Sequence, residues 1–238
     1  MYWDYYLMGI ILLPGIIFAS IAQAKVNSAF NKYNQYYIAS NITAGEFIKR
    51  LLTAVDMHDI TVTHTPGHLT DHYDARKKVI ALSDSVYNSS SVASIGIACH
   101  EFGHALQKKE GYAPYTLRKI LIPITNIASK LLWPLVIIGL ILNFAVAVDS
   151  PIGNIFLWGG IIFFGLSILV NLVTLPVEYN ASKRAVKVLQ TTGTMTEEEL
   201  AGTKKVLNAA ALTYVAALVV SMLDLLRFLL VILARRRD

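Results

Sequence analysis

Apolar positions in this chain gather into long blocks, with a stretch of mixed pattern from Lys25 to about Arg118 and a polar one from Glu178 to Lys205 between them. Tyr5–Ala24 is a run of 20 residues without a charged side chain, the length a helix needs to cross a hydrocarbon core of about 30 Å. The chain opens Met-Tyr-Trp-Asp, with no basic segment ahead of the run, so an uncleaved anchor is expected rather than a signal peptide. Pro14 is expected to kink its helix. Leu131–Val148 and Ser150–Val177 are also charge-free, parted only by Asp149 and a Pro151–Gly153 turn, which is the pattern of a transmembrane hairpin. Val206–Leu223 is a further charge-free run, followed by Asp224, Arg227, a last apolar stretch and Arg235-Arg236-Arg237.

Between Lys25 and about Arg118 charges are frequent and mixed. Thr43 with Glu46 three residues on fits a capping box opening an amphipathic helix. Asp59–His64 alternates as a strand does, and Lys78–Ser83 is a second strand after the turn-like Asp71–Asp74. A helix with a small, apolar face is expected from Ser91 to Lys109. This stretch is therefore an α+β domain, and Thr196 followed by Glu197, Glu198 and Glu199 starts another capped helix.

Composition agrees: 55% of the 238 residues are hydrophobic and 16% charged, against about 45–50% and about 25% in soluble domains. A single cysteine, Cys99, excludes an intramolecular disulfide framework and a cysteine-rich zinc finger. The net charge of +5 is assigned to cytoplasmic loops and not to a nucleic-acid surface, because the loop of the hairpin carries only Asp149 while the flanking segments carry the lysines and arginines. That places the N-terminus outside and the α+β segment in the cytoplasm. The three terminal arginines conflict with this rule unless the last helix stops short of crossing or breaks near Asp224.

The chemistry lies in His100-Glu101-Phe102-Gly103-His104. Residues four apart share a helical face, so His100 and His104 can grip one zinc ion, and Glu101 can reach a zinc-activated water and take its proton as that water attacks a peptide carbonyl. A catalytic zinc needs a third protein ligand, and no histidine follows His104. The ligand is therefore expected to be a carboxylate. Glu178, opening Glu178-Tyr179-Asn180-Ala181-Ser182 at the end of the hairpin, is the best placed, whereas Glu110 should point away from the zinc face.

These segments resemble the neutral zinc metallopeptidases of the YugP type, which are membrane-bound bacterial proteins. The resemblance rests on Leu69–Asp74, Leu82-Ser83, Val86–Ser89, Ala98–Ala105 and Pro176–Ser182. The last segments are also similar to HtpX-like membrane proteases, in which a glutamate in a like setting is the third zinc ligand. That resemblance implies Glu178 as a ligand and a gluzincin-like site. Those proteases usually place an aspartate four residues later, where this chain has Ser182.

Of the other histidines, His72 precedes Val79–Leu82, which is expected to be an edge strand able to pair with substrate. His72 or Tyr73 could then support the oxyanion as a catalytic group. His58, His64 and His68 fit surface or loop roles, Cys99 fits the core, and Asp224 with Arg227 fits a pair three apart that locks helix packing.

The expectation is an α-helical integral membrane protein with a small α+β zincin-like cytoplasmic domain. Its divisions are an anchor over 1–24, a catalytic domain over 25–127, a hairpin over 128–177, a ligand-bearing segment over 178–205 and a membrane helix with a basic tail over 206–238. It should act as a zinc endopeptidase of the cell membrane with one Zn2+ per chain. Its partners should be the bilayer and membrane-proximal protein or peptide substrates, with no nucleic acid. Alternatives are an intramembrane protease using Asp224 and a non-catalytic scaffold that keeps zinc structurally.

Overall fold

The computed structural model describes residues 9–145 and 150–235. In chain order the elements are α1 (Leu13–Tyr33), α2 (Ala44–Ala54), β1 (Thr61–Thr65), β2 (His72–Asp74), β3 (Val79–Ser83), α3 (Val92–Lys109), α4 (Ala113–Ala145), α5 (Pro151–Thr191) and α6 (Glu197–Arg235). The fold is mostly helical with one small sheet. It divides into two compact units: Met1–Ile21 with Thr116–Leu175 and Thr213–Asp238, and Ala22–Tyr115 with Pro176–Leu212.

The second unit holds the sheet and α3. Thr43 caps α2 by accepting a hydrogen bond from the Glu46 amide at 3.3 Å. The Glu46 carboxylate pairs with Arg50 one turn on. Ser91 caps α3 by accepting from the Ser94 amide at 3.1 Å. The strand order is β1-β3-β2, with β1 parallel and β2 antiparallel to β3. Sequence patterning places β1 and β3 correctly but differs in two ways. The turn-like Asp71–Asp74 contains an edge strand, with His72 opposite Ala81 and Asp74 opposite Val79. Val79–Leu82 is thus the central strand and not an edge. Its burial says the same: Ile80 and Leu82 are fully buried, each worth about 1.5–3 kcal/mol relative to an exposed position. Around them pack Phe30, Ile48, Ile95, Phe102, Leu189 and Leu200. The buried thiol Cys99 belongs to this core, and burial pushes its pKa up.

Glycines let the helices of this unit approach closely. A Cβ on Gly103 would stand 2.6 Å from the Ala181 carbonyl oxygen, so α3 and α5 touch backbone to backbone there. A Cβ on Gly96 would stand 2.6 Å from the Thr203 methyl of α6. Thr196 and Glu199 form a reciprocal capping box at the start of α6, with the Thr196 amide donating to Glu199 at 2.7 Å and the Glu199 amide to Thr196 at 3.3 Å.

The first unit has a smaller core, built on Val136, Leu157, Phe164 and Phe228. Here too small residues sit at the contact: a Cβ on Gly139 would lie 3.1 Å from the Gly153 carbonyl oxygen, as between close-packed helices in lipid. The Pro151–Gly153 segment is helical and not a turn. Pro151 occupies the first helical position, where its missing N–H costs nothing, and Ser150 accepts from the Gly153 amide at 3.3 Å. Asp149, the expected hairpin tip, lies outside the described residues. Pro14 stands in the first turn of α1, with a turn at Ile11–Leu12 parting that helix from helical Gly9–Ile10. The expected kink is therefore a break, as a proline ring imposes on the turn before it. Part of the expected anchor over 1–24 lies outside the described residues. α6 runs unbroken through Asp224 to Arg235, because neither residue removes a backbone donor as proline does. Both Asp224 and Arg227 are half-buried, and no ion pair joins them among the described residues.

Three helices among the described residues are long and apolar enough to cross a membrane: Ala113–Asn143, Pro151–Thr191 and Glu197–Leu233. Their apolar side chains are largely uncovered, with Ile155 70%, Ile162 65% and Ile127 63% exposed. Water disfavours a surface of this kind and a hydrocarbon solvent accepts it.

Candidate metal centre

α3 brings His100 and His104 onto one face by its 3.6-residue period, and their ring centroids lie 4.7 Å apart. α5 supplies Glu178, which is buried although it directly follows a run of 28 uncharged residues, Ser150–Val177. One Glu178 carboxylate oxygen, Oε2, lies 3.1 Å from His100 Nε2 and 3.6 Å from His104 Nε2. Two donors about 2.05 Å from a tetrahedral zinc ion stand about 3.3 Å apart. The spacings here straddle that value, and the three side chains form a group able to hold a metal ion. Two imidazoles and a carboxylate are a zinc donor set, so residues and group fit.

The other ring nitrogens are held from behind. His104 Nδ1 donates to Gln107 Oε1 at 3.0 Å, and His100 Nδ1 is hydrogen-bonded with the Ser182 hydroxyl at 3.1 Å. With Nδ1 held in this way, each Nε2 would turn a lone pair toward a bound metal ion, the tautomer a metal ligand needs. Gln107 is fully buried. Its amide donates to the Val177 carbonyl at 2.8 Å and to Asn180 at 3.0 Å, and Arg184 Nε also donates to Asn180 at 2.7 Å. Arg184 reaches Glu110 at 2.7 Å, which holds the Glu110 carboxyl below its ordinary pKa and keeps it at the end of α3. These bonds tie α3 to α5 on both sides of the donors.

Burial opposes a charged His104, but its hydrogen bond to the Glu178 carboxylate and the charges of Glu101 and Glu178 outweigh it, raising the histidine above its usual value. Glu101 is itself buried. Asp71 is raised by burial and further by the charge of Glu101, against the lowering effect of hydrogen bonds from the Ser83 amide (2.8 Å) and hydroxyl (2.9 Å). Burial pushes the Tyr73 phenol up to about 12, with Tyr115, Asp59 and Asp74 adding to it. The Tyr115 ring lies 6.2 Å from that of His104.

His100, His104 and Glu178 are thus gathered at one place, and the charge of the adjacent Glu101 is felt by His104. His72 is on β2, exposed, with Nδ1 donating to the Thr70 carbonyl at 2.9 Å. His64 pairs with Asp84, His58 lies 3.6 Å from Asp56, and His68 stands edge-on to Phe30 at 5.1 Å. Asp224 belongs to no potential metal group among the described residues. Gln107, Asn180 and Tyr115 are additions to the sequence reading. Gln107 was within reach of it, since a residue three beyond His104 shares its helical face.

Two histidines and a glutamate on packed helices form a candidate metal site, with a buried carboxylate beside the first histidine. Residues 8–233 match the family described as "Putative neutral zinc metallopeptidase", and the chain belongs to that family. It is 42% identical over 218 residues to "Putative membrane protease YugP" of Bacillus subtilis (strain 168), covering 91% of this chain and 92% of that relative. No solved structure matches the chain.

Proposed function

We propose that this protein is a membrane-anchored, zinc-dependent endopeptidase that cuts membrane or membrane-proximal polypeptides at the cytoplasmic face. The observation that carries the reading is the convergence of one donor atom each from His100, His104 and Glu178 within 4.8 Å of one another, beside buried Glu101. His100, His104 and Glu178 would hold the ion, and zinc when bound supplies a Lewis acid for the scissile carbonyl and makes water a nucleophile near neutral pH. The Glu101 carboxylate accepts the proton of the attacking water and returns it to the leaving amine. Gln107 and Ser182 keep the Nδ1 protons fixed throughout, so neither imidazole rotates away. The free edge of β2, a strand packed against α3, suits a substrate bound in extended form by backbone pairing, with His72 and Tyr73 on that strand. The basic segments flanking the apolar runs support a cytoplasmic site, and the three apolar helices support a multi-pass cell-membrane protein.

The test is cleavage of an unfolded reporter by detergent-purified protein, wild type against Glu101→Gln, with bound zinc quantified in both. The glutamine variant should keep its zinc and lose at least about 100-fold in rate. Equal cleavage by both would refute Glu101 as the base. Zinc retained without cleavage by the wild type would favour the structural-zinc scaffold.

A further inference from the structure

We infer that a cleft in the second unit, between the end of α5 and the start of α6, binds the headgroup of an anionic phospholipid. The inference rests on the reading that these two helices cross a bilayer. The cleft has a volume of about 450 Å³, within the roughly 300–1,000 Å³ of small-ligand sites. Lys183 and Lys187 of α5 and Lys204 of α6 line it, and no aspartate or glutamate does. All three lysines are exposed, and no ion pair of theirs is found among the described residues. Glu110, whose carboxyl feels the charge of Lys187, is already held by Arg184. Three uncompensated ammonium groups around one cleft call for an anion.

Two features favour a lipid over free phosphate. Val186 and Leu207 also line the cleft, giving apolar surface that suits a glycerol and upper acyl region and offers inorganic phosphate nothing. The lysines also stand at membrane-boundary positions in the sequence. Lys183 and Lys187 follow the uncharged run that ends at Val177, and Lys204 precedes the one that begins at Val206. For helices that cross, that is the polar side of the boundary, where a juxtamembrane basic cluster attracts anionic headgroups. Ser182, which orients His100, lines the same cleft, so a bound headgroup lies directly behind the metal centre.

The test uses full-length Glu101→Gln protein in neutral detergent, with short-chain phosphatidylglycerol titrated in and bound lipid counted by native mass spectrometry. Neither zinc nor cleavage enters the readout, so a failed peptidase reading leaves it intact. Recovery of the chain in the membrane fraction checks the crossing separately. One phosphatidylglycerol should bind in preference to phosphatidylcholine. Lys183→Gln/Lys187→Gln/Lys204→Gln should weaken it on the order of 100-fold, at about fivefold per lysine, and Lys204→Gln alone by about fivefold should the triple variant not fold. Lys25→Gln/Lys32→Gln/Lys205→Gln, which removes as many charges outside the cleft, should stay within about twofold. Unchanged affinity in the cleft variants, equal binding of phosphatidylcholine, or displacement by equimolar inorganic phosphate would overturn the proposal.

Discussion

Gly103→Ala tests how the metal centre is held together. The glycine sits between His100 and His104, and its added Cβ would meet the Ala181 carbonyl oxygen at 2.6 Å, whereas ordinary contacts begin at 3.4 Å. Neither partner is a side chain that can swing aside, so the two backbones must part by roughly 0.8 Å. Overpacking of this kind costs about 1–3 kcal/mol, and the better helix propensity of alanine returns up to about 1 kcal/mol. The larger effect falls on the donors. Ala181 lies between Glu178 and Ser182 on α5, so displacement moves Glu178 away from both Nε2 atoms and stretches the Ser182 bond to His100. Sites of this sort tolerate about 0.5 Å. Zinc affinity, read by competition with a chelator, should fall about 10- to 100-fold, as when an orienting partner is lost, with a lowered Tm. Gly165→Ala is the control, because nothing lies within 4 Å of its Cβ position. Zinc affinity and Tm for Gly103→Ala equal to those of the control would refute the close-approach argument.

Glu178→Ala should abolish stoichiometric zinc binding in equilibrium dialysis, while Asp224→Asn should leave it intact. Ser182→Ala should weaken zinc by about 10- to 100-fold by removing the acceptor for His100 Nδ1, and Ser182→Asp should restore the affinity, as measured by the same competition. Asp71 has a pKa raised above its ordinary 3.8, so its contribution to stability is full below 3.8 and is lost as pH rises through the folded-state value. Asp71→Asn, which keeps an acceptor for the Ser83 amide, should therefore gain on the wild type as pH rises from about 4 to 7, seen as a Tm difference that grows in its favour.

The sequence made the helical parts of this fold legible because their signals are local. A four-residue histidine spacing, the caps at Thr43 and Thr196, and runs without charge each lie within a few turns of one chain segment. A carboxylate as the third donor was legible by elimination, since no histidine follows His104, and Glu178 was picked out by its place at the end of the uncharged run and by the family resemblance. The sheet was harder to read. β2 is three residues long, His72–Asp74, too short to show alternation, and its pairing with β3 decides which strand is central. The unbroken course of α6 was also hidden, because two charges in an apolar run resemble a boundary when packing is unknown. Gln107 bonds to Val177, 70 residues away, and nothing in its own neighbourhood announces that contact.

The distance along the chain between the donors also has a consequence in time. His100 and Glu178 are 78 residues apart, so at about 5–20 residues per second a ribosome needs roughly 4–16 s to pass from one to the other. Throughout that interval the emerging polypeptide owns two imidazoles and lacks the carboxylate that completes the set. A chain cut short before α5 carries both histidines, yet only two of the three side chains of the candidate metal group. On the proposed reading, hydrolytic capacity is thus withheld from unfinished molecules by the order in which the residues are made.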